Sequence, residues 1–160
     1  MTLSGHRHLD SFDRAILRII QKDNKTPQRE IAAAVNLSAA AVQRRIAAME
    51  KSGVIVGNVA IVAPEAVSLG ITAIVEVNLH DERSASVDAA KALFREVPEV
   101  QQCYFATGGV SFVLVIVTSD MRAYEGLTRR LFGENDSVRS YRSLIALDRV
   151  KADTAIFIPQ

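Results

Sequence analysis

Residues 26–53 read TPQREIAAAVNLSAAAVQRRIAAMEKSG. Thr26-Pro27 reads as a helix cap followed by a proline in the first turn, where its missing amide is no loss. A short helix follows, roughly Gln28 to Val35, with Ile31, Ala32 and Val35 facing inward. Asn36 tolerates the left-handed backbone of a tight turn. Ser38 caps a further helix running to about Ser52, with Val42, Ile46 and Met49 as its buried face. Gly53 supplies the residue that ends it. Two helices joined by a short turn, the second opened by a serine cap, form a helix-turn-helix. Ala32 is small where the two helices cross. Upstream, Asp10 precedes Phe12, Ile16, Ile19 and Ile20, which share one helical face. Asp10 caps that first helix, Asp13 suits the positive end of its dipole, and Asn24 is a plausible stop.

On the third helix Ala39, Ala40, Gln43 and Arg44 lie off the buried face, in or beside the first two turns. Those turns enter the DNA major groove in this motif. Gln and Arg side chains pair bidentately with adenine and guanine edges. Arg45 and Lys51 are assigned to phosphates, as are the free amides at Ser38. The charge supports this. Residues 1–62 hold nine Lys or Arg and five Asp or Glu, a balance of +4; the remainder holds ten and thirteen, a balance of −3. A basic head on an acidic body suits a polyanion partner.

The remainder alternates. Residues 54–62 (VIVGNVAIV) are β-rich and read as a strand or ribbon leaving the head. Pro64-Glu65-Ala66 opens a short turn ending near Gly70. Ile71 to Leu79 is a strong strand, Ser86 to Val97 an amphipathic helix with Val87, Ala90, Leu93, Phe94 and Val97 inward, and Val100 to Thr107 a second strand. After Gly108-Gly109, Phe112 to Thr118 forms a third strand. Asp120 caps a helix to about Gly133, and Val138 to Val150 is the fourth strand. The βαββαβ order is the ferredoxin-like sandwich, a four-stranded antiparallel sheet with two helices on one face. Phe112 to Val117 is apolar on both faces, so the open face needs a partner. Dimerisation sheet to sheet would place two reading heads on one duplex. Ile156, Phe157 and Ile158 are read as packing the tail 151–160 on a neighbour.

The expected fold class is therefore α+β. Residues 1–54 form a helix-turn-helix, winged-helix-like DNA-binding domain; 55–70 form a linker strand and turn; 71–160 form the ferredoxin-like domain. Of 160 residues, 49% are hydrophobic and 23% charged, which excludes wholesale disorder. No apolar run approaches the roughly 20 residues of a membrane helix, and the first ten residues lack a secretory signal. A single cysteine, Cys103, forms no internal disulfide and fits a reducing cytoplasm. It reads as a buried or interface thiol. His6 and His8 are a weak metal signal; no catalytic pair, metal set or phosphate loop is evident.

Several pieces resemble the leucine-responsive/asparagine-responsive (Lrp/AsnC) regulators. They are Leu9-Asp10 with Asp13 and Ile16-Leu17, Glu30-Ile31-Ala32, Val35-Asn36-Leu37-Ser38, Arg44-Arg45-Ile46, Met49-Glu50 and Gly53-Val54-Ile55. Leu69-Gly70, Val97-Pro98-Glu99-Val100, Thr107-Gly108, Val138 and Val150-Lys151 continue the match. The resemblance implies a cytoplasmic transcription regulator that binds double-stranded DNA as a homodimer, assembling further to tetramers or octamers. It implies no cofactor, but an amino-acid effector held between dimers near Thr107, Gly108, Gly109, Val110 and Ser111, with Ser143 lining the site. Glycine amides there can meet a ligand carboxylate. The family loop usually reads Gly-x-x-Asp, and Ser111 replaces the acid, offering a hydrogen bond without charge. The turn usually has Gly where Asn36 stands. Two other readings stay open: an enzyme like the tetrapyrrole decarboxylases that resemble this family, and a ligand-binding adaptor that has lost DNA binding. The scarcity of histidine opposes the first, and Gln43, Arg44 and Arg45 oppose the second.

Overall fold

The computed structural model describes residues 8–160. His6 and Arg7, used above in the metal and charge readings, lie outside the described residues. The chain divides into two compact units, one holding residues up to Ile61 together with Lys151–Gln160, the other Val62–Val150.

In the first unit, α1 spans Ser11–Ile20, α2 Gln28–Val35 and α3 Ala39–Lys51. Local chemistry fixes each end. Asp10 and Asp13 form a reciprocal capping box at the start of α1, a device whose N-cap alone is worth about 1 kcal/mol. The helix stops at Gln21, short of Asn24. Pro27, not Thr26, is the N-cap of α2, and with no polar side-chain atom it makes no side-chain bond; Thr26 Oγ1 donates to the carbonyl of Asp23. Asn36 takes φ 55° and Gly53 φ 73°, as their turns require. Ile16, Val42 and Met49 are fully buried at the centre of the three-helix core.

Residues 54–62 are not a strand. The amides of Val54 and Ile55 both donate to the carbonyl of Met49, which closes α3 and packs both side chains on the core. Beyond them Val56 is 95% exposed. A β-rich segment becomes a strand only beside a neighbour that takes its backbone bonds, and this one has none among the described residues.

The tail, read above as part of a 71–160 domain, belongs to the first unit. Arg18 on α1 donates to the carbonyls of Ile158 and Pro159 at 3.1 and 2.7 Å. The Gln21 amide exchanges two bonds with the backbone of Ile156. Ile158 packs on the helical core.

In the second unit, β1 (Ile71–Leu79), α4 (Ser84–Arg95), β2 (Val100–Phe105), β3 (Phe112–Thr118), α5 (Met121–Thr128) and β4 (Val138–Ile145) follow in the βαββαβ order. The sheet order is β2-β3-β1-β4, with every pair antiparallel. Asp120 caps α5 by accepting the Ala123 amide at 2.8 Å, and a π-turn at Arg129–Gly133 extends that helix. Helix α4 starts at Ser84 rather than Ser86, because Arg83 takes the extended cap position. Leu93 on it is 39% exposed, not inward. Strand β4 ends at Ile145 rather than Val150. The last ladder bond runs from the Ala146 amide to Thr72, and β1 offers no backbone beyond Ile71. Phe94 on α4 packs edge-on against Phe112 of β3 and Phe132, at 5.4 and 6.0 Å. Cys103 lies exposed on the edge strand β2, not buried.

The α+β class and both architectures thus match the expectation. The antiparallel topology also has a positional result. The C-terminal ends of β1 and β2 and the N-terminal ends of β3 and β4 all fall at one end of the sheet.

Candidate DNA-reading helix and sheet-end cavity

The first turns of α3 form an exposed stripe. Ser38, Ala39, Ala40, Gln43 and Arg44 are all exposed, as is Lys51 at the far end. The Ser38 hydroxyl accepts the Ala41 amide at 3.2 Å. That bond holds the helix start open, and no described group accepts the amides of Ala39 and Ala40. Free amides at a helix N-terminus suit phosphate oxygens. No hydrogen bond or ion pair within the described residues holds Gln43, Arg44 or Lys51.

Arg45 is placed differently from the sequence reading, which set it on phosphates. Its Nη1 lies 2.7 Å from both Asp10 Oδ2 and Asp13 Oδ1. Its guanidinium also sits 5.4 Å from the centre of the Phe12 ring. The acids at the start of α1 draw it off the exposed stripe, so its charge holds α3 to α1. Asp13 strengthens the hold of Arg45 on its proton, and Asp10 adds to it. The Asp13 amide first, then Arg45, keeps the Asp10 carboxyl below its ordinary range.

The second candidate site is a cleft of about 420 Å³ at the sheet end described above. That volume falls within the roughly 300–1,000 Å³ of small-molecule sites. Thr107, Gly108, Gly109, Val110 and Ser111 line it, together with Asn78, His80, Glu82, Phe105 and Arg139. Gly108 and Gly109 take φ 103° and 102°, a backbone that L side chains rarely adopt. The loop is anchored by the Ala106 amide on the Ser111 carbonyl and the Ser111 amide on Val77. Between those anchors the amides of 107–110 donate to no described group.

Ser111 is buried, at 2% exposure. Ser143 does not join the loop residues at this cleft. It pairs with Val75 on the helix-covered face of the sheet, where the Tyr124 hydroxyl of α5 donates to it. Alternation along β4 decides this, and sequence alone does not fix its parity. Sequence reasoning also missed Glu82 and Arg139. The signal was the strand order, which brings the β1–α4 loop and the start of β4 beside the loop after β2. Among the described residues, no three His, Cys, Asp or Glu side chains could hold a metal ion together.

Residues 72–156 match the family model for the Lrp/AsnC ligand binding domain, and residues 9–56 match the winged helix-turn-helix DNA-binding model. The chain belongs to the Lrp/AsnC family. An uncharacterised helix-turn-helix-type transcriptional regulator of Sinorhizobium fredii is 40% identical over 148 residues, 92% of this chain and 88% of that one. The proline dehydrogenase transcriptional activator of Rhodobacter capsulatus is 34% identical over 146 residues, covering 89% of this chain and 92% of the relative. A feast or famine regulatory protein of Mycobacterium tuberculosis, solved with L-methionine, superposes with a TM-score of 0.84. It is 33% identical over 95% of this chain and 100% of that one. Like its relatives, this Lrp/AsnC chain is a DNA-binding transcriptional regulator. Among the described residues, no helix is long and apolar enough to cross a membrane.

Proposed function

We propose that this Lrp/AsnC regulator reads double-stranded DNA through Gln43 and Arg44, with Lys51 and the amides at the start of α3 on phosphates. The observation that carries this is the exposed, unbonded state of those side chains on the second helix of the motif. It acts in the cytoplasm on genes of amino-acid metabolism, as a regulator rather than an enzyme. The unpaired 107–110 amides at the sheet-end cleft receive the carboxylate of an amino-acid effector. The relative solved with L-methionine supports that ligand class.

The active form is a homodimer that assembles further. Its interface is the sheet face that no helix covers, where Ile74, Tyr104 and Leu144 are exposed. An isologous pairing of that face suits a symmetric dimer.

The test is fluorescence anisotropy with a duplex selected from a randomised pool. Salt-sensitive, sequence-preferring binding is expected, since phosphate contacts release counterions. Binding equal for selected and scrambled duplexes would overturn the assignment of α3 as a reading helix.

A further inference from the structure

The cleft contains an acid that the sequence loop lacks. Glu82 lies on the loop between β1 and α4, and the Ser111 hydroxyl donates to its Oε1 at 2.8 Å. The same hydroxyl accepts the Leu79 amide at 3.1 Å, buried beneath the loop. Ser111 thus spends its one donor on Glu82 and accepts from the backbone. The second carboxylate oxygen of Glu82 has no partner among the described residues, and Glu82 itself is exposed. Arg139, at the start of β4, lines the same cleft and forms no ion pair with Glu82 or with any other described acid. The neighbouring Asp81 is already occupied by Arg83 and Ser86.

The cleft thus presents an unpaired negative group, an unpaired positive group and a row of unpaired amides. An α-amino acid carries one ammonium and one carboxylate on adjacent atoms. We propose that Glu82, held in place by Ser111, receives the effector's α-ammonium, and that the carboxylate is received by Arg139 and the 107–110 amides. This rests on the reading of the cleft as an amino-acid site. A hydrogen bond with an ionised partner is about twice as strong as one between neutral groups, and the ammonium–carboxylate bond has both partners ionised. Ser111 acts only through Glu82 and is a positioning residue. The replacement of acid by serine at position 111 moves the charge one loop outward rather than deleting it.

The test is isothermal titration calorimetry of the whole 160-residue chain with the standard amino acids, L-methionine first. The ligand that binds is paired with its 2-hydroxy acid, which keeps the side chain and carboxylate but loses the ammonium. Glu82→Gln is expected to weaken the amino acid about tenfold, the loss of one charge-assisted bond, and to leave the hydroxy acid within about twofold. Ser111→Ala is expected to weaken the amino acid about threefold with the hydroxy acid again unmoved, a split that general loosening would not give. The unliganded melting point of Glu82→Gln should match the parent, since the side chain is exposed. If Glu82→Gln binds the amino acid as tightly as the parent, the role of Glu82 is overturned while the effector reading stands. If no amino acid binds the parent, both are overturned.

Discussion

The Nη1 atom of Arg45 lies 2.7 Å from Oδ1 of Asp13, a carboxylate that is only 1% exposed. The pair ties α3 to the start of α1, so its value is structural. Arg45→Ala removes the cation that bridges Asp10 and Asp13, and is expected to destabilise the head by about 1–3 kcal/mol. Arg45→Ala combined with Asp13→Asn should lose less than the two single changes summed, because both remove the same direct contact. Urea melts of the four proteins measure this; strict additivity would contradict the pairing.

Gln43 and Arg44 contribute no bond to the fold among the described residues, so their removal should cost affinity and not stability. Gln43→Ala and Arg44→Ala are each expected to weaken specific DNA binding by about 1–3 kcal/mol with melting unchanged. Lys51→Ala should weaken all duplexes about equally and lower the salt slope by about 1. Anisotropy titrations across salt concentrations separate the two classes.

Three carboxyls are held below their ordinary value of 3.8: Asp10 by the Asp13 amide and then Arg45, Asp81 by Arg83, and Asp120 by the Ala123 amide. A depressed folded-state pKa means that the unfolded chain takes up protons first as pH falls. The stability they contribute is fully present above about pH 5 and is lost as pH drops through 3.8 toward the lower folded values. Thermal melts should show a falling midpoint below about pH 4, and Asp120→Asn should flatten part of that fall. A midpoint unchanged from pH 5 down to about pH 2.5 would contradict the three contacts.

Gly109 sits at φ 102° with open space where a Cβ would be. Gly109→Ala therefore meets backbone strain alone, expected at about 1–2 kcal/mol. The strain is relieved if the loop relaxes, so effector-induced thermal stabilisation should shrink while DNA affinity without effector stays constant. A differential scanning measurement with and without amino acid reads both.

The elements that were legible in the sequence carry their instructions within a few residues. Asp10, Asn36, Ser38, Gly53 and Asp120 each fix a cap or turn by local bonds, and each is found doing so. The contacts that were not legible join distant residues. Arg45 is as basic as Arg44, and only the acids more than thirty positions upstream tell the two apart. Residues 54–62 have strand composition, but composition does not provide a neighbour. The placement of Ser143 turned on strand parity. Glu82 was hidden because the cleft is assembled by strand order, not by spacing along the chain.

The bonds from Arg18 and Gln21 to residues 156–159 impose an order on biosynthesis. The nascent chain delivers all three helices of the head early, yet the segment that buckles onto α1 emerges from the ribosome only after every strand of the sheet has been made. A polypeptide interrupted within the sheet would carry a head lacking those contacts, and should be cleared by proteases faster than the finished chain. The full packing of the three-helix head thereby waits on synthesis of the whole sheet.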